Sequence, residues 1–157
     1  NGIREYKGKD IRLRLYARRA RTGEVPVRAI GELGSLLPEA DVVFVITPLT
    51  PDTEHLIGAS ELAAMPQDAL LVNVARGRVV DTEALVAATA TGRIRAALDV
   101  TDPEPLPPDH PLWRTPGVLI SPHVGGQSTA FQPRMLRLVR EQLARFAAGE
   151  PLANIVA

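Results

Sequence analysis

Leu70-Leu71-Val72-Asn73-Val74-Ala75-Arg76-Gly77 reads as a short apolar strand running into a turn. An apolar run of this length without polar alternation is the pattern of a parallel strand covered on both faces. Val42-Val43-Phe44-Val45-Ile46, Ala96-Ala97-Leu98-Asp99-Val100 and Val118-Leu119-Ile120 repeat it on either side. Arg12-Leu13-Arg14-Leu15-Tyr16 alternates instead, as a half-buried edge strand does.

Helix signals fill the intervals. Asp81 is placed to cap Thr82 to Ala90, with Gly92 closing the end. Ser60 is placed to cap a short helix through Met65, which Pro66 stops. The last helix runs from about Ser128 to Ala148, where Met135, Leu138, Val139, Leu143 and Phe146 recur at helical spacing. Pro133 either kinks it or marks its first turn. Strand and helix in alternation predict an α/β fold built on a doubly wound parallel sheet.

At 157 residues the chain has the length of one domain with a proper core. Lys+Arg and Asp+Glu are 18 each, so net charge supplies no bulk attraction to nucleic acid or to an anionic membrane, and neither is expected as a partner. The basic residues nevertheless crowd the N-terminal end: Arg4, Lys7, Lys9, Arg12, Arg14, Arg18, Arg19 and Arg21. Cysteine is absent, which excludes disulfides and thiolate metal sites and fits a reducing, cytoplasmic setting. Three histidines with no i,i+4 pair give no metal motif. No apolar run approaches the ~18 residues of a membrane span.

Residues 102 to 116 hold six of the 14 prolines, which forbids regular helix or central strand there and predicts a stiff surface loop. Arg76, Glu104 and His123 each stand beyond the C-terminal end of a predicted strand, the edge where open parallel sheets gather their ligands. A guanidinium, a carboxylate and an imidazole in one crevice make a carboxylate clamp coupled to a proton donor. Taken singly, each is more often a surface, ion-pair or structural residue.

From Glu39 onward the blocks Ala40-Asp41-Val42-Val43, Thr47-Pro48-Leu49-Thr50-Pro51-Asp52-Thr53, Leu56-Ile57-Gly58, Val72-Asn73-Val74-Ala75-Arg76-Gly77, Val79-Val80-Asp81, Ala97-Leu98-Asp99-Val100, Pro103-Glu104-Pro105-Leu106-Pro107, His110-Pro111-Leu112-Trp113 and Ser121-Pro122-His123-Val124-Gly125-Gly126 follow one another. In content and order the sequence resembles the cofactor-binding half of the D-isomer-specific 2-hydroxyacid dehydrogenases. The resemblance implies a Rossmann-like NAD(P)-binding domain over residues 1–157, with residues 128–157 as a C-terminal helix and tail. It departs from the family at the front, where a strand, a G-x-G-x-x-G turn and a helix are expected. Tyr6-Lys7-Gly8-Lys9-Asp10 resembles the approach to that first strand, yet from Ile11 the sequence already resembles the second. The glycine turn does not occur, so one strand-turn-helix is expected to be missing near residues 9–12, and the family's substrate domain is absent as well.

The resemblance also implies roles. Arg76 clamps the carboxylate of a 2-oxo acid and polarises its carbonyl, His123 supplies the proton, and Glu104 orients the imidazole. Thr47, Pro48, Thr53, Ala75, Asp99, His123, Gly125 and Gly126 are the implied cofactor contacts, while His55 and His110 are assigned to structure or surface. After Leu15-Tyr16 come Ala17-Arg18-Arg19 with no acidic residue to bind ribose hydroxyls, which favours NADP(H) over NAD(H), with Arg18 and Arg19 as phosphate ligands. The expected activity is reduction of a small 2-oxo acid to a D-2-hydroxy acid, by a homodimer. Two other readings compete: a dinucleotide-sensing, corepressor-like interaction protein on the same fold, and an inactive truncated remnant.

Overall fold

The apolar runs pair as parallel strands, and their register decides which side chains they bury. The computed structural model describes residues 2–6, 9–17, 20, 22–23 and 27–155, in two compact units, Asn1–Pro122 and His123–Ala157. Arg18 and Arg19 lie outside the described residues. In the first unit β1 (Gly2–Tyr6) and β2 (Lys9–Leu13) form an antiparallel hairpin, and β3 (Leu15–Ala17) pairs in parallel with β4 (Val27–Ala29). β5 (Val42–Val45), β6 (Leu70–Asn73), β7 (Arg95–Leu98) and β8 (Val118–Ile120) make a parallel sheet in that order. α1 (Ala59–Ala64) links β5 to β6, and α2 (Thr82–Ala90) links β6 to β7.

The alternating segment Arg12–Tyr16 is not one edge strand. It divides at Arg14: Arg12 and Leu13 end the hairpin, while Leu15 and Tyr16 join β4. The Arg14 guanidinium pairs with Glu39 at 2.5 Å, tying the start of β3 to the 3-10 turn Leu37–Glu39 that leads into β5. Such a side chain anchors a crossing point between two ladders better than it extends either.

Alternation along the strands sends Val43, Val45, Leu71, Asn73, Ala96 and Leu98 to one face. There they share a buried core with Leu62 of α1, Leu85 of α2, Ile57, Met65 and Ile94. Val42, Phe44, Val72, Ala97 and Leu119 point to the other face, where Phe44 is 65% and Leu119 70% exposed. The apolar runs carry side chains fit for burial on both faces; the helices of this unit cover one.

α2 forms where its signals predict, with Asp81 Oδ1 accepting from the Ala84 amide at 2.9 Å and Gly92 at φ +69 beyond its end. α1 starts earlier than the Ser60 reading. Gly58 is its N-cap, because Glu61 accepts from the Gly58 amide (3.1 Å) and also takes the Ser60 hydroxyl (2.9 Å). Arg93 closes the helix by donating to the carbonyls of Leu62 and Met65. In the second unit α3 (Phe131–Ala147) has Pro133 in its first turn, where a missing amide costs nothing, and ends at Gly149 with φ +69. None of the residues of α3 is buried, its apolar stripe included.

Leu71, with no exposed surface, and Phe44 are both apolar strand residues separated only by the face they serve. Leu71→Ala should cost about 2–5 kcal/mol and Phe44→Ser less than about 0.5 kcal/mol in urea unfolding. Equal losses would contradict the assignment of faces.

Candidate active site

The carboxyl ends of β5 to β8 carry the sequence-predicted residues of the first unit, and β6 organises them. Asn73 is 1% exposed at the end of an apolar strand, so its amide must find partners inside the protein. It finds them in the turn that follows: Nδ2 donates to the Arg76 carbonyl (3.0 Å) and Oδ1 accepts from the Ala75 amide (3.1 Å). Its own carbonyl accepts from the Asp99 amide at 2.9 Å, joining the ends of β6 and β7. Ala75 is thereby buried and Arg76 held outward, its backbone extended and its Nη1 donating to the Ala75 carbonyl at 2.6 Å. The guanidinium retains donors on an exposed side chain.

Gly77 fits against the next loop. A Cβ there would lie 1.9 Å from the Thr101 carbonyl oxygen and 2.7 Å from the Asp102 nitrogen, so only glycine permits the approach. The proline-rich loop is fixed from other directions too. Thr82 Oγ1 donates to the Asp102 carbonyl (2.9 Å), Thr101 Oγ1 to the Pro103 carbonyl (2.9 Å) and Trp113 Nε1 to the Pro107 carbonyl (2.8 Å). Leu106 and Leu112 are buried beneath it. Asp102-Pro103 and Glu104-Pro105 are both cis, and Glu104 stands exposed between them. Stiffness, expected from the prolines, is supplied as much by these anchors.

Asp99, 9% exposed, receives the Ser121 hydroxyl on Oδ1 at 2.6 Å, which links the ends of β7 and β8. Thr47 is half-buried and Pro48 and Leu49 are exposed after β5. Thr53 is buried: its hydroxyl accepts from the Thr50 amide (2.8 Å) and donates to the Pro48 carbonyl (2.7 Å). Its side chain therefore shapes the Thr47–Leu49 loop from within. His55 donates its amide to the Arg78 carbonyl (2.8 Å), and His110 Nδ1 accepts from the Leu112 amide (3.3 Å), both structural contacts.

His123, Gly125 and Gly126 open the second unit. His123 is exposed and holds φ +54, a left-handed conformation that a non-glycine residue adopts at a cost. Gly125 and Gly126 form the turn after it, with the Gln127 amide donating to the Val124 carbonyl at 2.8 Å. The first unit thus gathers Thr47, Pro48, Ala75, Arg76 and Asp99 at strand ends with Glu104 on the anchored loop; the second presents His123.

Sequence reading missed the residues that position this edge. Asn73 carried a signal, a lone amide inside an apolar run. Gly77 and Ser121 carried none by themselves, since a close approach and a cross-strand hydroxyl belong to the tertiary fold. Asn73→Ala leaves the Ala75 amide without its acceptor and should cost about 1–3 kcal/mol. Gly77→Ala should cost at least as much, about 1–3 kcal/mol, through forced displacement of Thr101. Thermal melts of both variants matching the parent would refute this account of the turn.

Comparison with known proteins places this geometry in a family. Residues 3–125 match the D-isomer specific 2-hydroxyacid dehydrogenase, NAD binding domain. A glyoxylate reductase of Aeropyrum pernix is 42% identical over 154 residues, which is 95% of this chain and 46% of that protein. A glyoxylate/hydroxypyruvate reductase B of Escherichia fergusonii is 50% identical over 126 residues, 80% of this chain and 39% of that protein. The crystal structure of a D-isomer specific 2-hydroxyacid dehydrogenase of Xanthobacter autotrophicus Py2 in complex with NADPH and MES superposes with TM-score 0.79 at 39% identity, over 90% of this chain and 59% of that one. The chain spans under half the length of these two reductases. With a parallel α/β sheet whose carboxyl edge carries Arg76, Asp99 and Glu104, the chain belongs to the D-isomer specific 2-hydroxyacid dehydrogenases, an oxidoreductase family, through their NAD-binding domain.

Proposed function

We propose that this chain is the cofactor domain of a reductase that converts a small 2-oxo acid of the glyoxylate or hydroxypyruvate type into a D-2-hydroxy acid. The observation that carries the reading is Arg76, turned outward at the carboxyl edge by the buried amide of Asn73. Its planar fork suits a carboxylate and lies where open parallel sheets bind ligands. The residues present fit the nicotinamide half of a dinucleotide: the exposed Pro48–Leu49 loop, the turn at Ala75, and the Asp99 carboxylate held by Ser121. A bound nicotinamide cofactor supplies hydride to C2 of the substrate.

This chain's residues do the remainder. Arg76 holds the substrate carboxylate and draws charge onto the carbonyl oxygen. His123 delivers the proton to that oxygen, so hydride on carbon and proton on oxygen together yield the alcohol. In this reading Glu104 orients the imidazole of His123. NADP(H) is the cofactor we favour, from Arg18 and Arg19 with no acidic residue immediately after β3, and the NADPH complex of the Xanthobacter relative supports it. The same reading makes the enzyme a cytoplasmic homodimer.

Joined to a substrate domain and a strand–glycine turn–helix unit, the chain should reduce glyoxylate faster with NADPH than with NADH. His123→Asn should lower kcat by about 10²–10⁴ while NADPH affinity, read by fluorescence, stays within a few-fold. Arg76→Ala should lower kcat/KM by a factor of about 10² or more. Retention of full turnover by His123→Asn would eliminate the assigned proton donor, and a marked NADH preference would eliminate the phosphate-binding role of Arg18 and Arg19. Dinucleotide binding without turnover in the parent would favour the sensing reading.

A further inference from the structure

We infer that Arg78 and Glu54 form a positioning pair, which holds the loop after β5 against the turn after β6 so that cofactor and substrate contacts tighten one another. The two residues stand on different loops beyond the carboxyl ends of these strands. Glu54 follows Thr53 in the turn after β5, and its amide donates to the Thr50 carbonyl at 3.0 Å. Arg78 lies in the 3-10 turn Gly77–Val79, just beyond Arg76. The Arg78 guanidinium donates to the Glu54 carboxylate across a sequence separation of 24 residues.

An exposed ion pair alone contributes little, because two long side chains must be held in one geometry. Here the main chain brings them together first. The His55 amide donates to the Arg78 carbonyl (2.8 Å), the Ile57 amide to the Val79 carbonyl (3.1 Å) and the Asp81 amide to the Ile57 carbonyl (3.0 Å). Ile57 and Val80 pair in parallel within this short ladder, and both are buried, as is Val79. The ion pair continues the link outward, where the Arg78 and Glu54 side chains are 55% and 39% exposed. With both backbones already fixed, closing the pair orders side-chain rotations alone.

Each partner is one step from a residue that the proposed function uses. Next to Glu54, the Thr53 hydroxyl accepts from the Thr50 amide and donates to the Pro48 carbonyl, so the positions of Glu54 and of the Pro48–Leu49 loop are set together. Next to Arg78, the Val79 amide donates to the Arg76 carbonyl at 3.2 Å, the same oxygen that receives Asn73 Nδ2 at 3.0 Å. A shift of the 3-10 turn therefore reaches Arg76. A ligand that orders either loop lowers the cost of ordering the other, and coupling of this kind is reciprocal.

The ligand coupling rests on the reductase reading above; the link between the loops does not. Two measurements on the full 157-residue chain separate them. Without ligand, Glu54→Gln should speed hydrogen exchange at the Val79 and Val80 amides of the opposite loop, and Arg78→Gln should do so at Thr50 and Thr53, each by a factor of about 2–5. The charge-exchanged double variant E54R/R78E should return these rates to those of the parent. In titrations followed by amide shifts, reduced nicotinamide mononucleotide should tighten oxalate binding to the parent by a factor of about 2–5, no more than the pair itself is worth. Either single variant should remove that factor while binding of each ligand alone stays unchanged, a result that an ion pair serving stability alone would not give. Faster exchange confined to the substituted loop, no recovery in the double variant, or coupling that survives both single substitutions would overturn the pair. Exchange that spreads across both loops in a parent whose two ligands bind without coupling would support the link and overturn the ligand roles.

Discussion

The amide of Asn73, buried at the end of β6, is the constraint on which the rest of the edge depends. Because that group is removed from water, both its ends must be satisfied, and the Ala75 amide and Arg76 carbonyl are what satisfy them. The turn so fixed delivers Gly77 against the Thr101–Asp102 backbone, and the absence of a Cβ lets the two loops touch. From there the Thr82 hydroxyl and the buried Leu106 hold the proline-rich loop that presents Glu104. A charged site at a strand end is thereby set by a neutral amide, a hydroxyl and a missing methyl group.

Much of this fold was legible in the sequence because its signals are local. The strands at Val42, Leu70 and Val118 and the helix capped by Asp81 announce themselves through short apolar runs and one capping side chain. Where a side chain had two options, local reading failed. The Ser60 hydroxyl turns to Glu61 rather than to its own helix start, so Gly58 takes the cap. Arg14 looks like the polar member of an alternating strand, and only its pairing with Glu39 shows that two ladders meet there. Of the site, the residue types and their strand-end positions could be read, while the supports at Asn73, Gly77 and Ser121 required the tertiary structure. Thr53, expected among the cofactor contacts, has its hydroxyl engaged inside its own loop.

Among the described residues, the faces of the β5 to β8 sheet are covered unequally. Apolar strand residues such as Phe44 and Leu119 match a sheet covered on both sides, and helices of the first unit lie on one. A dinucleotide domain divides its work similarly: the first strand-turn-helix receives the pyrophosphate, and the loops beyond the later strands meet the nicotinamide and the substrate. Under the proposed function, residues at the ends of β5 to β8 serve the second task.

The most direct measurement is therefore one that asks only for this half. Amide chemical shifts of the labelled chain, titrated with reduced nicotinamide mononucleotide and oxalate as a 2-oxo acid mimic, avoid any need for the pyrophosphate turn. Shifts that move together at Ala75, Arg76, Gly77, Asp99, Glu104 and Ser121 are the predicted result. Saturating both ligands without perturbing these amides, or perturbing instead the residues at the amino ends of the strands, would contradict the placement of the site.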